Sequence, residues 1–313
     1  MTTIYTLDTL PRDITNPAVT IGNFDGVHKG HQAIFKKVID RAADIGGTSL
    51  IITFEPHPIK VVSPQRLKPP ITILEHKREL VAELGIDIML VIEFTLEFAA
   101  TSAGDFVRDI LVERLGAREV VVGYDYVFGH NREGSIDILK EMGRQFNFAV
   151  HQIGPVYEGD TLVSSTSIRN LIIEGRVSEV NRLLGRYYQM RGEVIEGNKR
   201  GGPLLGYATA NLHVTEGLIP KQGVYIVSLE RGSKRYNGLT NIGYSPTFGE
   251  NALSIETHIF DLSENILTQR IKINFLSRLR DEKAFTTPNE LSAQITRDIK
   301  QAREFFKRNK PER

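Results

Sequence analysis

Cysteine and tryptophan are both missing from the 313 residues. The absence of cysteine excludes disulfides, thiol catalysis and thiolate metal sites, and it suits a reducing cytoplasm. Neither sign of charge predominates. Lys and Arg total 39 against 38 Asp and Glu, a net +1, so there is no electrostatic footprint for non-specific nucleic-acid binding. No apolar run reaches the roughly 18 residues of a membrane span. Asp8, Arg12 and Asp13 stand where a signal peptide would be apolar. A Gly-x-Gly-x-x-Gly stretch is also lacking, which excludes that dinucleotide fingerprint. With 25% charged residues, the chain has a globular composition and is long enough for two cores.

The first half alternates apolar strands with amphipathic helices. Strands are predicted over 18–24, 49–54, 86–94, 119–124 and 148–153, and helices over 31–45, 106–115, 136–146, 167–174 and 177–184. Ile34, Phe35, Val38, Ile39 and Ala42 fall on one helical face. Ser102 with Asp105 reads as a capping box, and Ser135 as a cap. This alternation predicts a doubly wound parallel α/β sheet. From Met190 onward the segments are short and punctuated by Gly and Pro. Strands are expected over 191–195, 224–231, 234–242, 254–260 and 270–276, forming an antiparallel sheet or small β-barrel. A last helix is expected over 289–308, after Pro288. The expected domains are residues 1–185 and 186–313.

Gly22-Asn23-Phe24-Asp25-Gly26-Val27-His28-Lys29-Gly30-His31 joins the first strand to the first helix. In an open α/β sheet such a turn lies at the ligand-binding edge. Glycines admit phosphate to the backbone, the helix start offers free N–H groups, and His28 and His31 add donors. The competing reading is a tight turn with incidental histidines. A zinc site using His28, His31 and His57 lacks a suitably spaced third ligand.

The ten-residue turn resembles the first signature of the nucleotidylyltransferase superfamily in its bacterial FAD-synthetase form. Glu55-Pro56-His57-Pro58, Val122 to Gly129 with Gly134, and Ser164-Ser165-Thr166-Ser167-Ile168-Arg169 follow in the family's order. The resemblance implies that ATP adenylylates FMN to FAD. His28 and His31 would then meet the ATP phosphates, as would Ser165, Thr166 and Arg169 at a second helix start. Gly22, Asn23, Phe24, Asp25 and Gly26 would line the nucleotide site. Asp125 and Phe128 are flavin-side candidates; loop structure and core packing are equally good readings of both. Val127 stands where the family usually carries Arg.

Gly197 to Gly202 is a basic, Gly-rich loop, but Pro203-Leu204 excludes a Walker A motif. Thr209 and Asn211, two apart on an extended chain, face the same way and can offer two oxygens to one magnesium ion. On this segment alone, a surface loop leading into a polar strand face is the better reading. Gly223-Val224-Tyr225, Asn241-Ile242-Gly243 with Pro246-Thr247-Phe248, Glu256 to Asp261 and Leu279 to Phe285 are similar, in order, to riboflavin kinases. The whole chain thus resembles the bacterial bifunctional riboflavin kinase/FMN adenylyltransferase family. The resemblance implies riboflavin, FMN, FAD and ATP as its ligands. It implies Glu256 as the base for the ribityl hydroxyl, Gly197, Gly201, Asn241 and Arg280 as binding residues, and Thr209 and Asn211 as metal ligands. Ala208 replaces the family's Pro. Two alternatives stand: an adenylyltransferase with an inactive flavin-binding barrel, and a nucleic-acid-binding barrel. The neutral charge and the lack of a basic aromatic stripe argue against the latter.

Overall fold

The protein's computed structural model describes residues 1–11, 14–196, 209–245, 252–262 and 264–309. Its internal contacts divide the chain into Met1–Ser167 and Ile168–Arg313. The first unit is built on six strands: β1 (Thr2–Ile4), β2 (Ala18–Ile21), β3 (Ser49–Glu55), β4 (Ile88–Glu93), β5 (Glu119–Gly123) and β6 (Ala149–Ile153). They pair in parallel throughout, in the order β1-β4-β3-β2-β5-β6.

Successive residues of one strand feed opposite faces of this sheet. Leu50, Ile52, Leu90, Ile92, Val120 and Val122 join one core, while Ile51, Met89, Val91 and Val121 join the other. Strands covered on both faces read as continuous apolar runs rather than alternating ones. The helices are α1 (Lys29–Asp44), the short α2 (Pro58–Val62), α3 (Leu74–Glu83), the short α4 (Leu96–Ala99) and α5 (Ala103–Asp105), and α6 (Ile136–Phe146). Phe106–Arg114 continues α5 as wider π turns, ending with the Leu115 amide on the Ile110 carbonyl at 3.0 Å. Ser102 and Ser135 cap as expected, accepting from the amides of Asp105 and Ile138. The strand β1 and the helix α3 are elements that the sequence pattern left unassigned.

The second unit contains α8 (Val177–Leu184) and a closed antiparallel barrel. The helix α7 (Ser165–Glu174) contains the division between the units. The barrel strands are β9 (Tyr188–Ile195), β10 (Thr209–His213), β11 (Gly223–Arg231), β12 (Lys234–Ser245), β13 (Ala252–Ile259) and β14 (Arg270–Arg280). The two-residue strands β7 (Tyr157–Glu158) and β8 (Thr161–Leu162) form a separate small hairpin in the first unit. Around the barrel the order is β10-β13-β12-β11-β14-β9. Thr240 and Thr257 are fully buried, with their hydroxyls 2.9 Å apart. The final helix, α9 (Pro288–Arg308), is capped by Thr287 and starts at its proline. Its Ala302, Ile299, Phe305 and Phe306 pack with Val224, Ile226, Leu239 and Phe260. α8 is held to the barrel by Asn181, which donates to the Phe275 carbonyl at 2.8 Å and accepts from the Tyr188 amide at 2.7 Å.

Candidate functional sites

The chain leaves β2 to build β3 and β4 on one side and returns to build β5 and β6 on the other. β2 therefore flanks the point where strand order reverses, and ligands bind beyond the carboxyl ends of strands at such points. The turn 22–31 occupies that position, running directly into α1.

Its backbone is unusual. Phe24 and Val27 take left-handed conformations, with φ of 48° and 41°, and Gly26 lies at 91°. Non-glycine residues held this way cost of order 1–3 kcal/mol each. The compensation is visible: both side chains are sunk into the core beneath α1, and the turn is tied from several directions. The Asp25 carboxylate accepts from the amides of Ile71 and Thr72 at 3.0 and 3.1 Å. Gln32 donates to the Val27 carbonyl at 2.9 Å. Ser165 donates to the Asp25 carbonyl at 2.8 Å, which brings the start of α7 to the turn. Lys77 of α3 donates to the Asn23 carbonyl at 2.7 Å.

His28 is the cap of α1, its Nδ1 accepting from the His31 amide at 3.3 Å. That bond leaves Nε2 to carry the proton of a neutral ring. The His28 and His31 rings stack with centroids 3.6 Å apart, and Phe24 meets His31 edge-on at 5.3 Å. Gly30 leaves the His28 ring room, since a Cβ there would come within 3.1 Å of it and the ring would have to shift. At α7 the Ser164 hydroxyl accepts from the Ser167 amide at 3.1 Å. Thr166 is exposed beside it, and Arg169 follows one turn later, in the second unit.

The other candidates in this unit separate. Asp25, expected to meet the ligand, is buried and turned toward residues 71–72. Phe128 is 8% exposed in the core, stacked on Tyr126 at 5.4 Å and paired through its backbone with Gly134. Asp125 is exposed. His57 caps α2, accepting from the Ile59 amide at 3.2 Å, and among the described residues no group of three His, Asp or Glu is placed to hold a metal. Lys77 was not anticipated. Burial pushes its ammonium below the usual lysine range, against the pull of Asp25 and Glu55. The available signal was a lysine at helical spacing between Leu74 and Val81, on the face that α3 buries.

In the barrel, Asn211, Glu256 and Asn241 stand directly opposite one another on β10, β13 and β12. The row continues through Val224 on β11 to Arg280 on β14. Directly opposed residues share a face, and Val224 packs with Ala302 of α9, so this face is the one α9 covers. Thr209, two residues before Asn211, shares it and is exposed. The Ser254 hydroxyl donates to Glu256 Oε1 at 3.2 Å. The Glu282 carboxylate lies over Gly243, where any Cβ would come within 1.9 Å of Oε1. Arg280 is committed to protein partners: Nε and Nη2 grip Asp298 at 2.9 and 2.8 Å, and Nη1 donates to the Asp281 carbonyl. Gly197, Gly201, Ala208 and the 246–248 segment lie outside the described residues.

Residues 10–167 match the family model for FAD synthetase, and residues 184–306 that for riboflavin kinase. A bifunctional riboflavin kinase/FMN adenylyltransferase from Listeria monocytogenes is 39% identical over 93% of each chain. Its counterpart from Escherichia coli strain K12 is 32% identical over 98% of each. A solved structure described as a macrolide-efflux protein from Streptococcus pneumoniae superposes with a TM-score of 0.87 at 28% identity, covering 96% of this chain and 98% of that one. No helix among the described residues is long and apolar enough to cross a membrane. With both family models matched in order, and relatives this similar along nearly their whole length, the chain belongs to the bifunctional riboflavin kinase/FMN adenylyltransferase family.

Proposed function

We propose that the turn 22–31 and the start of α7 bind ATP for adenylylation, and that the β10–β13–β12 row carries riboflavin phosphorylation. Both activities belong to one enzyme, which makes FMN from riboflavin and FAD from FMN. The reading in which the barrel is inactive is not favoured, because curated relatives matching the whole chain carry both activities in their names. We assign adenylylation to residues 1–185 and phosphorylation to residues 186–313, with the cytoplasm as the compartment that supplies ATP. The observation that carries the reading is Glu256 standing between Asn211 and Asn241 on adjacent strands.

In adenylylation, an oxygen of the FMN phosphate attacks the α-phosphorus of ATP, the bond to the β-phosphate bridging oxygen breaks, and pyrophosphate leaves. The attacking phosphate is already ionised, its second pKa being about 6, so no base is needed. The protein aligns the groups and stabilises charge. His28 donates through Nε2 with His31 beside it, and the helix starts of α1 and α7 add backbone N–H donors and their positive dipole ends. Ser165 and Thr166 complete the triphosphate site. The backbone of Gly22, Asn23, Phe24 and Gly26 lines it, and Asp25 serves by anchoring the turn. Asp125 remains the candidate on the flavin side.

In phosphorylation, the ribityl 5′-hydroxyl passes its proton to Glu256 as its oxygen bonds to the γ-phosphorus and ADP departs. Asn241 orients that face. Thr209 Oγ1 and Asn211 Oδ1 are hard oxygen donors on one strand face, a set that suits magnesium. Bound there, the ion would neutralise charge on the ATP phosphate oxygens. Arg280 supports the site indirectly, by tying β14 to α9.

The test separates flavins after incubation with ATP and magnesium. Glu256→Gln should lower FMN formation from riboflavin by about a hundredfold or more while supplied FMN still becomes FAD. His28→Ala should do the reverse. A Glu256→Gln enzyme that phosphorylates riboflavin at the parent rate would sink the barrel assignment.

A further inference from the structure

The least expected group in the first unit is a buried lysine outside the nucleotide motif. Lys77 is 7% exposed on α3, and an ammonium is rarely buried without a specific partner. Its Nζ donates to the Asn23 carbonyl at 2.7 Å, and Thr53 Oγ1 lies 3.5 Å away. Thr53 itself reaches the same carbonyl only at 3.4 Å. Lys77 therefore makes the short bond to that acceptor.

That carbonyl sits at a mechanically decisive point. It belongs to the peptide unit entering Phe24, the first left-handed residue of the turn. The Phe24 ring packs edge-on against His31, and His31 stacks on His28. Rotating the 23–24 peptide plane would move the Phe24 ring and remove its contact with His31. The left-handed conformations of Phe24 and Val27 are costly and persist only while the surroundings over-determine them.

We propose that Lys77 is a positioning residue for adenylyl transfer, holding the Asn23 carbonyl so that Phe24 sets the His28–His31 pair against the triphosphate. The proposal rests on the assignment of the 22–31 turn to ATP. With its Nζ bonded to the Asn23 carbonyl, Lys77 acts through Asn23 and Phe24. Burial holds its proton less firmly than in an ordinary lysine, opposed by the neighbouring carboxylates of Asp25 and Glu55.

The experiment compares Lys77→Met, Lys77→Arg and His28→Ala in the full chain, measuring kcat and KM for FAD formation from FMN and, in the same preparation, riboflavin phosphorylation. Phosphorylation serves as the internal control for an intact second unit. Lys77→Met should lower kcat for FAD formation by at least about tenfold, as misplacement of catalytic groups does. KM for FMN and the phosphorylation rate should stay unchanged. Lys77→Arg, which keeps the charge and a donor, should recover most of the rate. A Lys77→Met enzyme with parental kcat overturns the proposal, and so does one whose loss is confined to KM for FMN. If Lys77→Met unfolds the first unit, Lys77→Arg decides: near-parental kcat supports positioning, and a loss as large as that of His28→Ala overturns it. Should His28→Ala itself make FAD at the parent rate, the ATP assignment of the turn fails, whatever Lys77 does.

Discussion

At the scale of single residues, the same side-chain type serves different ends according to what surrounds it. Phe24 is buried beneath α1, yet its ring makes a T-shaped contact with His31. Phe128 is buried in the opposite core, among Phe106 and Tyr126. Its surroundings favour packing, one of the two readings that its motif left open. Phe128→Ala should destabilise the first unit by about 3–5 kcal/mol, the usual cost of emptying such a site, as read by urea unfolding. FMN affinity of the folded fraction should be unchanged. A large loss of affinity without a loss of stability would return Phe128 to the flavin site. Asp25 shows the same divergence: its place in the motif was legible, but its partners at residues 71 and 72 are 46 and 47 positions away, and no local pattern names them.

At the scale of elements, ion pairs bind helices to strands. Arg280 of β14 and Asp298 of α9 form a two-pronged pair in which the Asp298 side chain is 4% exposed, and Gln294 adds a bond at 2.8 Å. Removing one partner of such a pair strands the other. Asp298→Ala should therefore cost the second unit about 3 kcal/mol, measured by thermal unfolding. Riboflavin phosphorylation should weaken as α9 loosens from the face that carries Glu256. Across the first unit, Glu119 of β5 accepts from Arg41 of α1 at 2.8 Å and pairs with His151 of β6. Burial pushes its carboxyl up, but the bonds from Arg41 and His151 outweigh burial and hold it below the ordinary value of 4.5. A depressed carboxylate contributes stability that is fully present above its unfolded pKa. That contribution is lost as pH falls through the folded value. The acid limb of the melting profile, below about pH 4.3, should therefore be shallower in Glu119→Gln, which has no proton to take up there. An unchanged limb would show that other carboxylates dominate it.

At the scale of the whole molecule, the two units divide the work, and the position of the division can be tested. Contacts split the chain after Ser167, whereas the riboflavin kinase model begins at residue 184. Val177, Val180, Leu183 and Leu184 of α8 are at most 2% exposed, and Asn181 binds the barrel strands. Each such apolar side chain is worth about 1.5–3 kcal/mol. A fragment of residues 168–313 should consequently phosphorylate riboflavin and melt well above a fragment of residues 186–313. Equal melting temperatures would place the boundary after α8.

Much of this architecture was written locally. Apolar runs of strand length, helical periodicity from Ile34 to Ala42, and the Ser102 and Ser135 caps depend on neighbours a few residues apart, so the alternating sheet and the turn at its strand ends were readable along the chain. So was the family, through motifs that each lie in one segment. What sequence alone could not supply was the result of distant segments meeting. Strand β1 is three residues long and exists because β4 pairs with it. Lys77 acquires its role only because α3 packs beneath the 22–31 turn. Asn211, Glu256, Asn241 and Arg280 become one row only through barrel register. Short-range patterning chose the elements, and long-range pairing and burial decided which side chains share a site, because hydrogen-bond partners and desolvation are properties of the folded neighbourhood rather than of the chain.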